Sequence, residues 1–172
     1  SYWGMVFAHV GLLVLIVGVS LTTHTSIERD VALKQGQTVE LANYQFRFDS
    51  LQRTQGANFD ATKATFSVHK NDQFMSKLYP EKRIYIAQNS PMTEVAIDGN
   101  VMRDLYVALG EPLEANNQQG AWAVRVYYKP FVRWIWLGAL FMAFGGVLAM
   151  SDKRYRIAKK TGIKQSTAEA AQ

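Results

Sequence analysis

This sequence predicts a membrane protein of the α-plus-β class, with two transmembrane helices flanking a small antiparallel β domain. Three observations carry that reading. Residues 2–21, YWGMVFAHVGLLVLIVGVSL, contain no Asp, Glu, Lys or Arg. Twenty residues at a helical rise of ~1.5 Å span about 30 Å, the thickness of a bilayer's hydrocarbon core. Residues 131–150, FVRWIWLGALFMAFGGVLAM, form a second apolar block interrupted only by Arg133. Between the blocks, apolar residues recur every second position, the signature of half-buried strands.

The first block does not fit a cleavable signal peptide. It lacks a basic leading region, is longer than a typical apolar core, and Gly18-Val19-Ser20 matches a cleavage site only loosely. The chain opens on Ser1 rather than Met, so an upstream segment is expected either to have been removed or to belong to a longer protein. On a helical wheel Gly4, Ala8, Gly11 and Gly18 fall within about 80°, with Leu15 the one large residue among them. Small residues at such spacings let a second helix approach closely. His9 lies about 140° from Gly4, among Met5, Leu12, Leu13, Ile16 and Ser20. An imidazole inside a span needs partners that lipid does not supply, so it marks a candidate site. From the residues alone, His9 is a metal ligand, a proton relay, or a side chain bonded to a neighbouring helix. His24, about 22 Å further along a continuous helix, shares no metal with it and reads as interfacial.

Residues 26–37 read as a polar linker, with Lys34-Gln35-Gly36-Gln37 as a turn. From Thr38 onward the period is two. Tyr44, Phe46 and Phe48 alternate with Gln45, Arg47 and Asp49; Ala64, Phe66 and Val68 alternate with Thr65, Ser67 and His69; Trp122, Val124 and Val126 alternate with Ala123, Arg125 and Tyr127. Further strands are expected at 74–79, 82–87 and 93–97, and a short helix at 100–109 closed by Gly110. His69 has solvent-face parity. The run Glu81, Lys82, Arg83, Glu94, Asp98, Arg103 and Asp104 reads as surface ion pairs. With no cysteine, the external region must hold itself together through its apolar core, and no CxxCH haem-attachment motif is present. Neither a nucleophile elbow nor a phosphate loop occurs.

The second span is introduced by Tyr127, Tyr128, Trp134 and Trp136, expected as an interfacial aromatic belt, with Lys129 and Arg133 reaching head groups. Arg133 has a second reading as the contact of an anionic cofactor, such as a haem propionate. Ala139, Ala143 and Gly146 suggest a small packing stripe. Beyond Met150 six basic residues face two acidic ones and hold most of the net charge of +5. By the positive-inside rule this tail, 151–172, is cytoplasmic and 22–129 is external. The basic balance thus reports topology and lipid contact; no nucleic-acid partner is expected.

Several stretches together resemble a known family. They are Gly4-Met5-Val6-Phe7-Ala8-His9-Val10-Gly11, Ser26-Ile27-Glu28-Arg29-Asp30-Val31, Glu81-Lys82-Arg83, Thr93-Glu94-Val95-Ala96-Ile97-Asp98-Gly99, Arg103-Asp104-Leu105-Tyr106, Gly120-Ala121-Trp122-Ala123-Val124-Arg125, and Tyr128-Lys129-Pro130-Phe131-Val132-Arg133-Trp134-Ile135-Trp136. In this order they resemble the C-terminal part of the CcmF/NrfE family, the haem lyases of bacterial cytochrome c maturation, over about residues 1–156.

The resemblance implies a multi-span inner-membrane haem lyase whose periplasmic region comprises 22–129. It attaches haem to the CxxCH cysteines of apocytochrome c, working with the haem chaperone CcmE and the apocytochrome-handling subunit CcmH. It also implies a transmembrane haem b with two histidine ligands. His9, in the GMxxAH motif, maps onto one of them. The other has no matching position here, nor do the family's periplasmic histidines or its tryptophan-rich motif. The remainder of the CcmF protein is therefore a further expected partner. The alternatives are the NrfE-type specialised lyase and a haem-free anchor presenting a β domain to assembly partners.

Overall fold

In the computed structural model, residues 2–87, 89–114 and 120–151 are described. The element order is α1 (Tyr2–Thr25), β1 (Ile27–Leu33), β2 (Thr38–Leu41), β3 (Tyr44–Gln55), β4 (Phe59–Lys70) and β5 (Gln73–Leu78), continuing with β6 (Glu81–Tyr85), β7 (Ser90–Glu94), β8 (Ala96–Gly99), β9 (Arg103–Pro112), β10 (Trp122–Pro130) and α2 (Val132–Met150). They divide into a helical unit, up to Ser20 and from Arg133, and a β unit, Leu21–Val132.

In the helical unit, α1 and α2 are each long and apolar enough to cross a membrane. They pair antiparallel through glycine. Gly4, Gly11 and Gly18 are the buried residues of α1, and Gly138 and Gly145 those of α2. A methyl group added at Gly11 would lie 2.6 Å from the Met142 backbone nitrogen; one at Gly138 would lie 2.6 Å from the Gly11 carbonyl oxygen, and one at Gly145 2.6 Å from the Ala8 nitrogen. The shared spacing of seven, close to two helical turns, keeps these glycines on one face of each helix. The expected stripe of Ala139, Ala143 and Gly146 is not that seam: Ala143 and Gly146 are exposed, and nothing lies within 4 Å of a methyl placed on Gly146. Glycine spacing outranks small size because only glycine admits backbone-to-backbone contact.

The β unit is a two-sheet sandwich. One sheet runs β1-β10-β9-β8 and the other β2-β3-β4-β6-β7, with β5 also pairing β4. All the pairings are antiparallel. The alternating apolar positions face inward. Phe46, Phe48, Phe66 and Val68 from one sheet meet Leu105, Val107, Leu109, Val124 and Val126 from the other in a single core. The rings of Phe48 and Phe66 stack at 4.8 Å.

The two-residue turns Ala42-Asn43 and Asn71-Asp72 have positive φ at both positions, the backbone hand that two-residue hairpins favour. Gly36, at φ 87, supplies the left-handed residue of the 34–37 turn.

Three sequence expectations are corrected. Residues 27–33 are the edge strand β1 rather than linker: Glu28 and Asp30 face outward, and Asp30 sits directly opposite Arg125 of β10. Charges on an exposed edge discourage further pairing and make such a strand look like linker in sequence. The expected helix at 100–109 is the turn and first part of β9, in which Leu105, Val107 and Leu109 are buried at period two. The expected strand at 93–97 breaks at Val95, where the chain leaves β7 in one sheet and enters β8 in the other.

The polar run divides as well. Glu81, Arg83 and Glu94 form a partly exposed ion-pair group, but Arg103 is only 5% exposed. Its Nε donates to the Tyr44 hydroxyl at 3.2 Å and its Nη1 to the Asp98 carbonyl at 2.7 Å, while Ser76 Oγ donates to the Asp98 carboxylate at 2.6 Å. Burial disfavours the guanidinium charge, yet the bonds to Tyr44 and Asp98 outweigh it and hold the pKa above arginine's ordinary value. Four strands from both sheets are thus tied at one buried cation.

Tyr127 and Tyr128, expected in an interfacial belt, are strand residues of β10. Tyr128 packs on the core beside Tyr44, and Tyr127 meets Tyr106 edge-on.

Candidate functional site

Helix α1 is uninterrupted through both of its histidines. Its C-terminal carbonyls are satisfied locally: Thr25 Oγ1 donates to the Leu21 carbonyl, and Ser26 donates to the Thr22 carbonyl through both its hydroxyl and its backbone N–H. The rise therefore applies along the whole segment, and His9 and His24 are separated by about 22 Å of helix axis.

His9 is on the side of α1 turned away from the glycine seam. It is exposed from the helical pair, together with Met5, Leu12, Leu13 and Ile16. Its Nδ1 lies 2.8 Å from the carbonyl oxygen of Met5, one turn earlier. A carbonyl oxygen only accepts, so Nδ1 is the donor of this bond, and in a neutral ring Nε2 would be the nitrogen with the lone pair. The bond also fixes the ring orientation, in the manner in which a backbone carbonyl holds a metal-bound histidine. One exposed imidazole among apolar side chains provides a single nitrogen donor. Among the described residues no group of three or more His, Cys, Asp or Glu side chains gathers in a form able to hold a metal ion.

Arg133 is exposed in the first turn of α2. The glycine contacts give its level: Gly18 lies against Trp134 and Ile135, whereas Gly11 lies against Gly138 and Met142. Arg133 is therefore beside the Gly18 end of α1, about 14 Å along the axis from His9, and the two are not gathered into one cluster. The Nδ1 bond to Met5 is a rotamer choice invisible in sequence. Nor did the Arg103-Asp104-Leu105-Tyr106 motif disclose that its arginine is buried.

The family described as the CcmF C-terminal β-sandwich matches residues 24–130. A cytochrome c-type biogenesis protein CcmF from Pseudomonas aeruginosa is 48% identical over 172 residues, which is 100% of this chain and 26% of the relative. Its counterpart from Escherichia coli K12 is 49% identical over 170 residues, covering 99% of this chain and 25% of the relative. A solved structure, "Cytochrome c Heme Lyase CcmF", superposes with a TM-score of 0.68 over 87% of this chain and 24% of that one; at 14% identity it supports the fold alone. The chain spans about a quarter of the length of the relatives it matches. From the glycine-paired helices to the sandwich between them, the chain belongs to the CcmF family.

Proposed function

We propose that this chain is the C-terminal segment of a cytochrome c maturation haem lyase, and that His9 Nε2 is one axial ligand of a transmembrane haem b. The observation that carries the reading is an imidazole exposed on the side of α1 away from the glycine seam, with its Nδ1 held at the Met5 carbonyl. The names and extent of the relatives support a role in cytochrome c biogenesis. When bound, haem b supplies a one-electron couple of the kind that keeps substrate haem ferrous for thioether formation. The chain's own residues do simpler work. Met5 holds the imidazole ring, while Leu12, Leu13 and Ile16 keep water from the ligand nitrogen. Arg133 offers a cation at the outer end of α2 for a carboxylate such as a propionate.

In this reading 22–129 is periplasmic, α1 and α2 cross the bacterial inner membrane, and the basic residues after Met150 are cytoplasmic; the tail, 152–172, lies outside the described residues. The substrate is apocytochrome c, and the partners are CcmE, CcmH, the rest of the parent protein and membrane lipid.

The test is the visible spectrum of the purified membrane complex. His9→Ala is expected to lose the b-type absorbance and shift the midpoint potential of any haem retained, while His24→Ala leaves both unchanged. Full b-type absorbance with unaltered redox behaviour in His9→Ala would overturn the assignment.

A further inference from the structure

The turn between β8 and β9 ends in two large apolar side chains, Val101 and Met102, which are 61% and 57% exposed. Several of the backbone groups around them are bonded within the protein. The Asn100 N–H donates to the Arg103 carbonyl at 2.8 Å, and the Asn100 side-chain oxygen accepts the N–H groups of Met102 and Arg103, each at 2.9 Å. The Met102 carbonyl accepts the N–H of Phe131 at 2.9 Å. The nearest charged residue in sequence, Arg103, is buried and turned to Tyr44 and Asp98.

That last backbone bond fixes the level of the turn. Phe131 immediately precedes α2, and Pro130, beside it, accepts a hydrogen bond at 2.8 Å from Thr22 in the last turn of α1. The points where the chain leaves one span and enters the other are therefore joined, and the Met102 backbone is one hydrogen bond away. Ile27, at the start of β1, is exposed at the same end of its sheet, where it pairs with Tyr128.

An apolar tip bonded to the residue that leads into α2 suits the boundary between water and lipid. We infer that the side chains of Val101 and Met102 dip into the headgroup–acyl boundary of the bilayer and anchor the β domain to the lipid surface. The inference rests on α1 and α2 being membrane spans and is independent of the haem.

This chain contains no cysteine, so single thiols can be introduced in it one at a time and labelled with bimane in the full-length protein, with any cysteine elsewhere replaced by serine, reconstituted into phosphatidylcholine–phosphatidylglycerol vesicles. Val101→Cys and Met102→Cys are expected to give blue-shifted emission, quenched by lipids spin-labelled near the head group and protected from aqueous iodide. Gln35→Cys, in the turn beyond the far end of β1 and about 20 Å away along that strand, should show the reverse. Leu140→Cys, Phe144→Cys and Val147→Cys, exposed on α2, report the span through quenching by mid-chain spin labels.

Iodide quenching at 101 and 102 while an α2 site keeps its mid-chain quenching would put the tip in water and overturn the proposal. Shielding from both quenchers would mean that the tip docks on protein, which overturns it equally. Absence of mid-chain quenching at all three α2 sites would instead overturn the membrane span on which it rests.

Discussion

Glycine makes the close contacts of the helical unit, whereas phenylalanine fills the β unit. At the helix seam every buried residue is a glycine, and the large side chains Leu12, Leu13, Leu140 and Phe144 point outward. In the sandwich Phe46, Phe48 and Phe66 are wholly buried and the outward positions carry most of the charge. The difference is one of solvent. A lipid-facing helix gains nothing by hiding leucine, so its pairing depends on close backbone approach and dispersion contacts. A strand in water gains by hiding each apolar group.

Substitutions that exchange the two rules test the contrast. The largest expected effect is in the sandwich. Phe66→Ala removes half of a stacked pair and should cost about 3–5 kcal/mol of β-unit stability, read by chemical or thermal unfolding. The same substitution should leave cross-linking unchanged between cysteines replacing Phe7 and Phe144, whose rings meet at 5.2 Å across the helices. Arg103→Met tests whether the buried cation matters as much as the apolar core. It strands Asp98 and the Tyr44 hydroxyl, and a loss of about 3 kcal/mol is expected from breaking a buried pair. Unfolding curves identical to wild type would show that the network only fills space.

Gly11→Val should show the complementary behaviour. The added carbons meet backbone at 2.6 Å, and overpacking of this kind costs about 1–3 kcal/mol. The expected readout is loss of the cross-link between positions 7 and 144 with β-unit melting unchanged. Gly146→Ala sharpens the point: the position is open in this chain, and alanine is the better helix former by about 0.5–1 kcal/mol, so no loss of cross-linking is expected.

The smallest effect belongs to the exposed pair Asp30–Arg125. The hydrogen bond from Arg125 holds the Asp30 carboxyl below its ordinary range. A depressed carboxylate contributes stability that is fully present above its unfolded-state pKa and lost as pH falls through the folded value. The difference between wild type and Asp30→Asn should therefore be small at neutral pH, shrink with added salt, and vanish in strong acid.

Legibility in the sequence followed the same divide. The strands at Tyr44, Ala64 and Trp122 were readable because one face of each is buried and the other wet, which writes period two into the chain. β1 was not readable, since Glu28, Arg29 and Asp30 satisfy an edge through charge. The turn at Asn100 and the strand from Arg103 read as helix because Leu105 and Leu109 also fit a helical spacing of four. Only the inward position of Val107 between them excludes it.

What the sequence by itself determined is the layout: two apolar segments of bilayer length, a β domain between them, and a histidine where lipid offers it no partner. These follow from composition and period, which act residue by residue. Tertiary structure decided which glycines touch and that the Arg103 cation ties the two sheets together, and the helix places the Met5 carbonyl against the His9 ring. Tertiary structure also decided that the Met102 carbonyl is bonded to Phe131, the residue before α2. Each of these depends on which distant segments pair or which rotamer a backbone carbonyl holds, and no local pattern in the chain encodes that choice.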